Sequence, residues 1–188
     1  MIQLILELLL VASPVILAAI FHMIVVRYNW ASAMTYPLDH GLTFRSRRIF
    51  GKNKTYRGVV VMVITSIALT YFYAFLVSKS SSVAALNLLD FEHYSPLVYG
   101  VIYGLGYVLG ELPNSFAKRQ LSITEGKSNS FIQRLIDQLD SVVVTLLIMM
   151  PFSNFTWRHF WAGIIFYGLL HLVINYLLYL LKLRKEPY

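Results

Sequence analysis

Two aspartates three residues apart, in Asp137-Gln138-Leu139-Asp140, are the residues best placed to do chemistry. On a helix that spacing sets two carboxylates on neighbouring positions of one face. The helix they begin runs into Ser141–Trp157, seventeen residues without a charge, so the pair stands where a membrane span meets water. Carboxylates at that depth are costly unless a positive group holds them, and a hard divalent cation is the usual holder. At about 100° per residue, Gln133, Asp137, Asp140 and Ser141 share one stripe, with Phe131, Leu135 and Leu139 elsewhere. An ordinary interfacial helix with an Arg134–Asp137 pair would carry the same charges. The stripe continues into a span, however, and that favours a site over a solvated face.

Two basic stretches could bring anions to such a cation. The first runs Arg45-Ser46-Arg47-Arg48-Ile49-Phe50-Gly51-Lys52-Asn53-Lys54-Thr55-Tyr56-Arg57-Gly58, after Pro37-Leu38-Asp39-His40-Gly41. Its cations are interleaved with small residues, so backbone N–H groups and side chains can surround one anion. Arginine suits bidentate phosphate contacts, and lysine acts as a point charge. The second runs Gly110-Glu111-Leu112-Pro113-Asn114-Ser115-Phe116-Ala117-Lys118-Arg119. Pro113 is expected to end or break the helix before it. That would put Glu111 at the membrane boundary, with Asn114, Ser115, Lys118 and Arg119 beyond. His22, His171 and Asn175 are polar positions inside spans and are read as interhelical hydrogen bonds. There is no zinc spacing, no Ser-His-Asp order and no Walker run; Lys54-Thr55 resembles the end of one, but Gly51 is wrongly spaced.

These residues need a scaffold, and the composition names its class. Of 188 residues, 57% are hydrophobic and 13% charged, and the charges cluster. That is the pattern of an all-α, polytopic membrane helical bundle forming one domain over 1–188. Five spans are expected near 4–26, 58–78, 94–112, 137–153 and 159–181, with loops 27–57 and 113–136. The first span lacks the basic start of a signal peptide, has Glu7 instead, and is read as retained around Ser13-Pro14. Gly100, Gly104, Gly106 and Gly110 make two small-xxx-small pairs for close helix packing. Lys79 and Arg158 fall on one side of a five-span bundle, and the other fourteen Lys and Arg on the opposite side. The positive-inside rule then puts the N-terminus outside, and both long loops and the C-terminus in the cytoplasm. The net charge of +7 lies between spans, which favours anionic lipid or phosphorylated substrates and no nucleic acid. Without cysteine, thiolate-metal sites and disulfides are excluded.

The motifs Gly51-Lys52-Asn53-Lys54-Thr55-Tyr56-Arg57-Gly58 and Ser115-Phe116-Ala117-Lys118-Arg119…Asp137-Gln138-Leu139-Asp140 together resemble the CDP-archaeol synthase family, relatives of the CDP-diacylglycerol synthases. The resemblance covers essentially the whole chain. It implies a membrane cytidylyltransferase that uses Mg²⁺, CTP and a lipid phosphate to give a CDP-lipid and pyrophosphate. With both long loops in the cytoplasm, a cell-membrane location with the site facing the cytoplasm is expected. Carried onto this chain, Asp137 and Asp140 match the metal-binding pair. Ser115, Lys118 and Arg119 match the Ser-x-x-Lys-Arg element beside the nucleotide phosphates, and Asn114 next to it is read as substrate-binding. Lys54, Thr55 and Arg57, with Arg48 and Lys52, belong to the substrate-binding first loop. Glu111 stands where many relatives carry aspartate and is read as a further metal ligand with a longer arm. The interval Leu121–Arg134 lacks the Lys-Asp and His-Gly-Gly elements of the diacylglycerol branch, which favours the archaeol branch and leaves the lipid open. Membrane lipids are the surrounding partners, and a homodimer is left open. The alternatives are another Mg-dependent membrane phosphotransferase or prenyltransferase, or a non-enzymatic lipid-binding or transport protein. The first two need longer or second acidic motifs that this chain lacks; the last leaves the aspartate pair without a task.

Overall fold

The structure is a computed structural model that describes residues 1–183. Of the tail cations, Arg184 and Lys185 lie outside the described residues. The chain runs α1 (Ile2–Arg27), β1 (Thr43–Phe44), β2 (Arg47–Arg48), α2 (Tyr56–Lys79), α3 (Ser81–Ala84), α4 (Pro96–Gln120), α5 (Phe131–Met149) and α6 (Trp157–Leu180). The two strands pair antiparallel as a hairpin, Thr43 opposite Arg48. Helix starts follow local chemistry. Thr55 Oγ1 accepts from the Gly58 N–H at 3.3 Å, and Ser130 Oγ from the Gln133 N–H at 3.1 Å. Pro96 opens α4 where no N–H is needed. Thr156 and His159 cap α6 reciprocally.

Among the described residues, α1, α2, α5 and α6 are each long and apolar enough to cross a membrane. α4 is as long, but Glu111, Lys118 and Arg119 make it less apolar. Its course corrects the expectation for Pro113: the helix does not stop there but continues to Gln120. Proline removes one N–H. α4 is packed between α2 and α5, and this packing holds the helix through the gap. The extension carries Asn114, Lys118 and Arg119 as regular helical positions rather than as a loop.

Around the bundle the order is α1, α2, α4, α5, α6, closing through a lighter α6–α1 contact. The glycines of α4 serve two neighbours. Gly100 and Gly104 lie against Ile67 and Val63 of α2; Gly106 and Gly110 lie against Thr145 and Ser141 of α5. The core fills with Val11, Tyr73, Tyr99, Tyr103 and Met149 in one cluster and Leu8, Ala12, Leu146, Phe160 and Tyr167 in another. Ile64, Phe72, Phe75, Trp161, Ile165 and Leu169 remain exposed on the outward faces. An apolar belt of that extent suits hydrocarbon rather than water. At the end away from the long loops, Tyr99 ties the segments together. Its hydroxyl accepts from the Asp90 N–H at 2.8 Å and donates to the Phe152 carbonyl.

Candidate active site

At the loop end the helices open around a polar cavity of about 550 Å³. It gathers residues far apart in sequence. Lys52, Lys54, Thr55 and Arg57 come from the first loop and the start of α2. Glu111, Asn114, Ser115, Lys118 and Arg119 come from α4, and Asp137 and Asp140 from α5. All the candidates from the sequence line this cavity except Arg48.

The aspartate pair is held from α4. Asn114 Nδ2 donates to Asp137 Oδ1 and Asp140 Oδ2, each at 2.7 Å, and Gln133 Nε2 donates to Asn114 Oδ1 at 2.8 Å. The polar stripe is therefore one connected network. Lys118 Nζ reaches both oxygens of Asp137 at 3.0 and 2.8 Å, so Asp137 pairs with Lys118, and Ser128 Oγ also donates to it. The Ser141 N–H donates to Asp140 Oδ1 at 2.6 Å, and Ser141 Oγ to the Tyr107 carbonyl at 3.0 Å, which fixes α5 on α4 beside the pair. His171 and Asn175 of α6 both reach Gln138, at its carbonyl (3.1 Å) and its Oε1 (3.2 Å), as interhelical bonds. Gln138 and Ser128 are site residues the motif spacing did not single out; a buried amide inside an Asp-x-x-Asp run was the available signal for Gln138.

Two carboxylate oxygens converging on a single nitrogen define a point that a small cation can share. The donors are hard oxygens, so the pair fits a magnesium-like ion that keeps water and phosphate ligands. Glu111, expected as a third ligand, lines the same cavity as the pair. It is ion-paired with Lys54, and among the described residues no three His, Asp or Glu side chains gather as a ready ligand set.

The cations are likewise held. Lys118 and Arg119 are buried, and Arg119 Nη1 lies 3.3 Å from Glu125 Oε1. Glu125 also accepts from the Lys52 N–H at 3.3 Å, clasping the second loop to the first. Its own amide, the Lys52 N–H and Arg119 hold its carboxyl below the usual range against burial. Arg57 Nη1 donates to Asn29 Oδ1 at 2.9 Å and to the Trp30 carbonyl at 3.2 Å, while its buried Nε has no partner among the described residues. Thr55 lines the cavity but spends its hydroxyl on the α2 cap.

Arg48 is not among the residues lining the cavity, and its partner lies within the first loop. Its guanidinium binds the buried Asp39 through Nε and Nη2. Asp39 also accepts from the N–H groups of Gly41, Phe50 and Gly51 at 3.0–3.1 Å. Arg48 therefore frames the loop. Gly51 turns there with φ +97°, and a Cβ would lie 2.9 Å from Glu125 Oε1 and 3.1 Å from Arg119 Nη1. Burial alone would raise the Asp39 pKa. Arg48 and the Gly51, Gly41 and Phe50 N–H groups overcome it and hold the carboxyl at about 2, below its ordinary 3.8.

A lowered folded pKa makes the contribution of Asp39 full above about pH 4. It is lost as pH falls toward 2. Thermal melts between those values are expected to show wild-type protein losing stability on acidification. Asp39→Asn should start lower and lose less. Parallel losses in the two proteins would refute the role given to Asp39.

The chain is similar to known proteins over most of its length. A family model described as CarS-like, CDP-archaeol synthase, matches residues 1–188. The chain is 34% identical over 158 residues to a CDP-archaeol synthase of Archaeoglobus fulgidus, covering 81% of this chain and 84% of that one. It is 32% identical over 161 residues to a CDP-archaeol synthase of Methanosarcina barkeri, covering 81% and 90%. With the CDP-archaeol synthase of Pyrobaculum islandicum it shares 31% over 154 residues, covering 81% and 82%. Its fold is similar to a solved structure described as giving insight into an intramembrane enzyme for archaeal membrane lipids biosynthesis, with TM-score 0.65, 23% identity, and 91% and 94% of the two chains covered.

Proposed function

The chain belongs to the CarS-like CDP-archaeol synthase family, membrane enzymes of the cytidylyltransferase type, and on that premise we propose that it transfers CMP from CTP to an archaetidic-type lipid phosphate. The observation that carries this reading is the single polar cavity in which the aspartate pair, Lys118, Arg119 and the first-loop cations meet. An oxygen of the lipid phosphate attacks the α-phosphorus of CTP. The bond from that phosphorus to the bridging oxygen breaks, and pyrophosphate leaves. The attacking phosphate is already ionised, so no general base is needed. Both reactants are anions, and the main barriers are their repulsion and the charge on the leaving group. Fixed positive groups lining the cavity lower both.

Asp137 and Asp140, with Glu111 as the further carboxylate, would hold Mg²⁺, which when bound neutralises phosphate charge. Lys118 and Arg119 bind the triphosphate, and Asn114 keeps the two aspartates aligned. Lys52, Lys54 and Arg57 line the same cavity from the first loop and the start of α2, where they take the second anion. Ser115 adds a hydroxyl to the same wall, and Thr55 holds the loop-to-helix junction in place. Ion pairs such as Lys54–Glu111 keep these cations neutralised until a phosphate replaces the carboxylate.

An apolar groove joins the polar cavity through Met23, Tyr107, His171 and Asn175. It suits a hydrocarbon chain whose phosphate sits in the cavity. We read the bundle as five spans with α4 the third. The N-terminus is then outside and the cavity faces the cytoplasm, where CTP is found.

The test is direct. Purified protein in detergent, given Mg²⁺ and labelled CTP, should convert an ether-linked lipid phosphate to CDP-lipid and pyrophosphate. Running ester-linked phosphatidic acid alongside reads the linkage preference. Stable protein that makes no CDP-lipid from any lipid phosphate would refute the reading.

A further inference from the structure

We propose that Tyr103 and Tyr167 form a fixed floor that limits the length of hydrocarbon chain the groove accepts, an inference that rests on the lipid-phosphate reading above. The groove lies between α1, α4, α5 and α6, where α1 closes only lightly on α6. One end is shared with the polar cavity. The other ends among Val11, Tyr103, Met149, Phe155 and Tyr167. Along α1 its wall runs from Met23 to Val11, about 18 Å of helix rise. That is close to the roughly 15 Å of hydrocarbon in one leaflet.

The floor is built around a fault in α1. Pro14 has no N–H to give the Leu10 carbonyl, and Ser13 Oγ donates there instead at 2.7 Å. On the same stretch the Val11 carbonyl accepts from the Tyr103 hydroxyl, and the Leu8 carbonyl from the Tyr167 hydroxyl at 2.7 Å. Both rings are buried. Each is pinned at its far end by a bond that has no water to replace it. They cannot swing aside as an unpinned apolar side chain would. A chain that outruns the groove must bend out between helices or push against them.

The measurement is displacement of a fluorescent alkyl phosphate from the detergent-purified protein by straight-chain alkyl phosphates of graded length. CDP-lipid formation is followed in parallel on lipid phosphates of matching lengths. Wild type should show a break, with affinity falling at least about tenfold for chains beyond it. Tyr167→Ala should move the break to longer chains. Tyr167→Phe, which keeps the ring but loses the pin to the Leu8 carbonyl, should blur the break and shift it less than Tyr167→Ala does. Val15→Phe, which fills the groove partway along, should move it to shorter chains; it tests the same floor without deleting a core ring. A break that stays put in both Tyr167→Ala and Val15→Phe, or no break in wild type, would overturn the proposal. A break without any CDP-lipid formation would uphold the floor and overturn the cytidylyltransferase reading instead.

Discussion

Asp137→Asn and Asp140→Asn should each cut CDP-lipid formation by at least about a hundredfold while the protein stays folded. Asparagine keeps the volume of aspartate and removes the charge that a hard cation needs. The two losses differ in what they leave behind. At position 137 the change also unpairs Lys118, which is buried against that carboxylate at 2.8 Å. A freed ammonium is a better phosphate ligand, so Asp137→Asn should bind CTP at least as well without metal, yet turn it over poorly. At position 140 no lysine is released, because the carboxylate's partners are Asn114 and the Ser141 N–H. Asp140→Asn should therefore lose activity without that gain in metal-free nucleotide binding. The measurements are initial rates against Mg²⁺ concentration and CTP binding with and without chelator. Near-normal turnover by both folded variants at ordinary Mg²⁺ would remove the aspartate pair from the chemistry.

The sequence made the aspartate pair readable for a physical reason. A charged pair at the mouth of an uncharged run has few stable explanations, and its helical stripe put Gln133 on the same face, where it donates to Asn114. The four α4 glycines were legible as close contacts, since small residues at a spacing of four face a neighbour. Which neighbour each pair served was not legible, because a two-residue offset moves a pair to another helix face. Pro113 misled because its local effect is to break a helix. Only the tertiary clamp of α2 and α5 on α4 overrides it. The partner of Arg48 was hidden for a similar reason. One arginine in a basic run looks like any other until the chain folds, and the signal was nine residues upstream. Asp39-x-Gly41 is a carboxylate in a turn, free to collect both the loop N–H groups and a guanidinium. Glu125 offered no signal at all, since its partners Arg119 and Lys52 meet only when the two loops do.

The second large effect is expected from a single methyl group. Gly110→Ala should destabilise the bundle by about 1–3 kcal/mol and lower activity by roughly a hundredfold. A Cβ there would lie 2.5 Å from Ser141 Cα, 2.8 Å from the Asp140 carbonyl oxygen and 3.0 Å from Ser141 N. All three are backbone atoms, and no rotamer change can clear them. α4 and α5 must move apart at the level of Asp140. Asn114 stands one turn beyond Gly110 and spans Asp137 and Asp140 at 2.7 Å from each, so the separation pulls that bridge open. Gly168→Ala is the control. Its Cβ would come equally within contact distance, 2.9 Å, but of Leu139 Cδ2, the mobile end of a side chain. That neighbour can turn away, and the change should be mild in both melting temperature and rate. Comparable behaviour of the two variants would mean that α4 and α5 are free to slide, and that the aspartate pair does not depend on their close approach for its alignment.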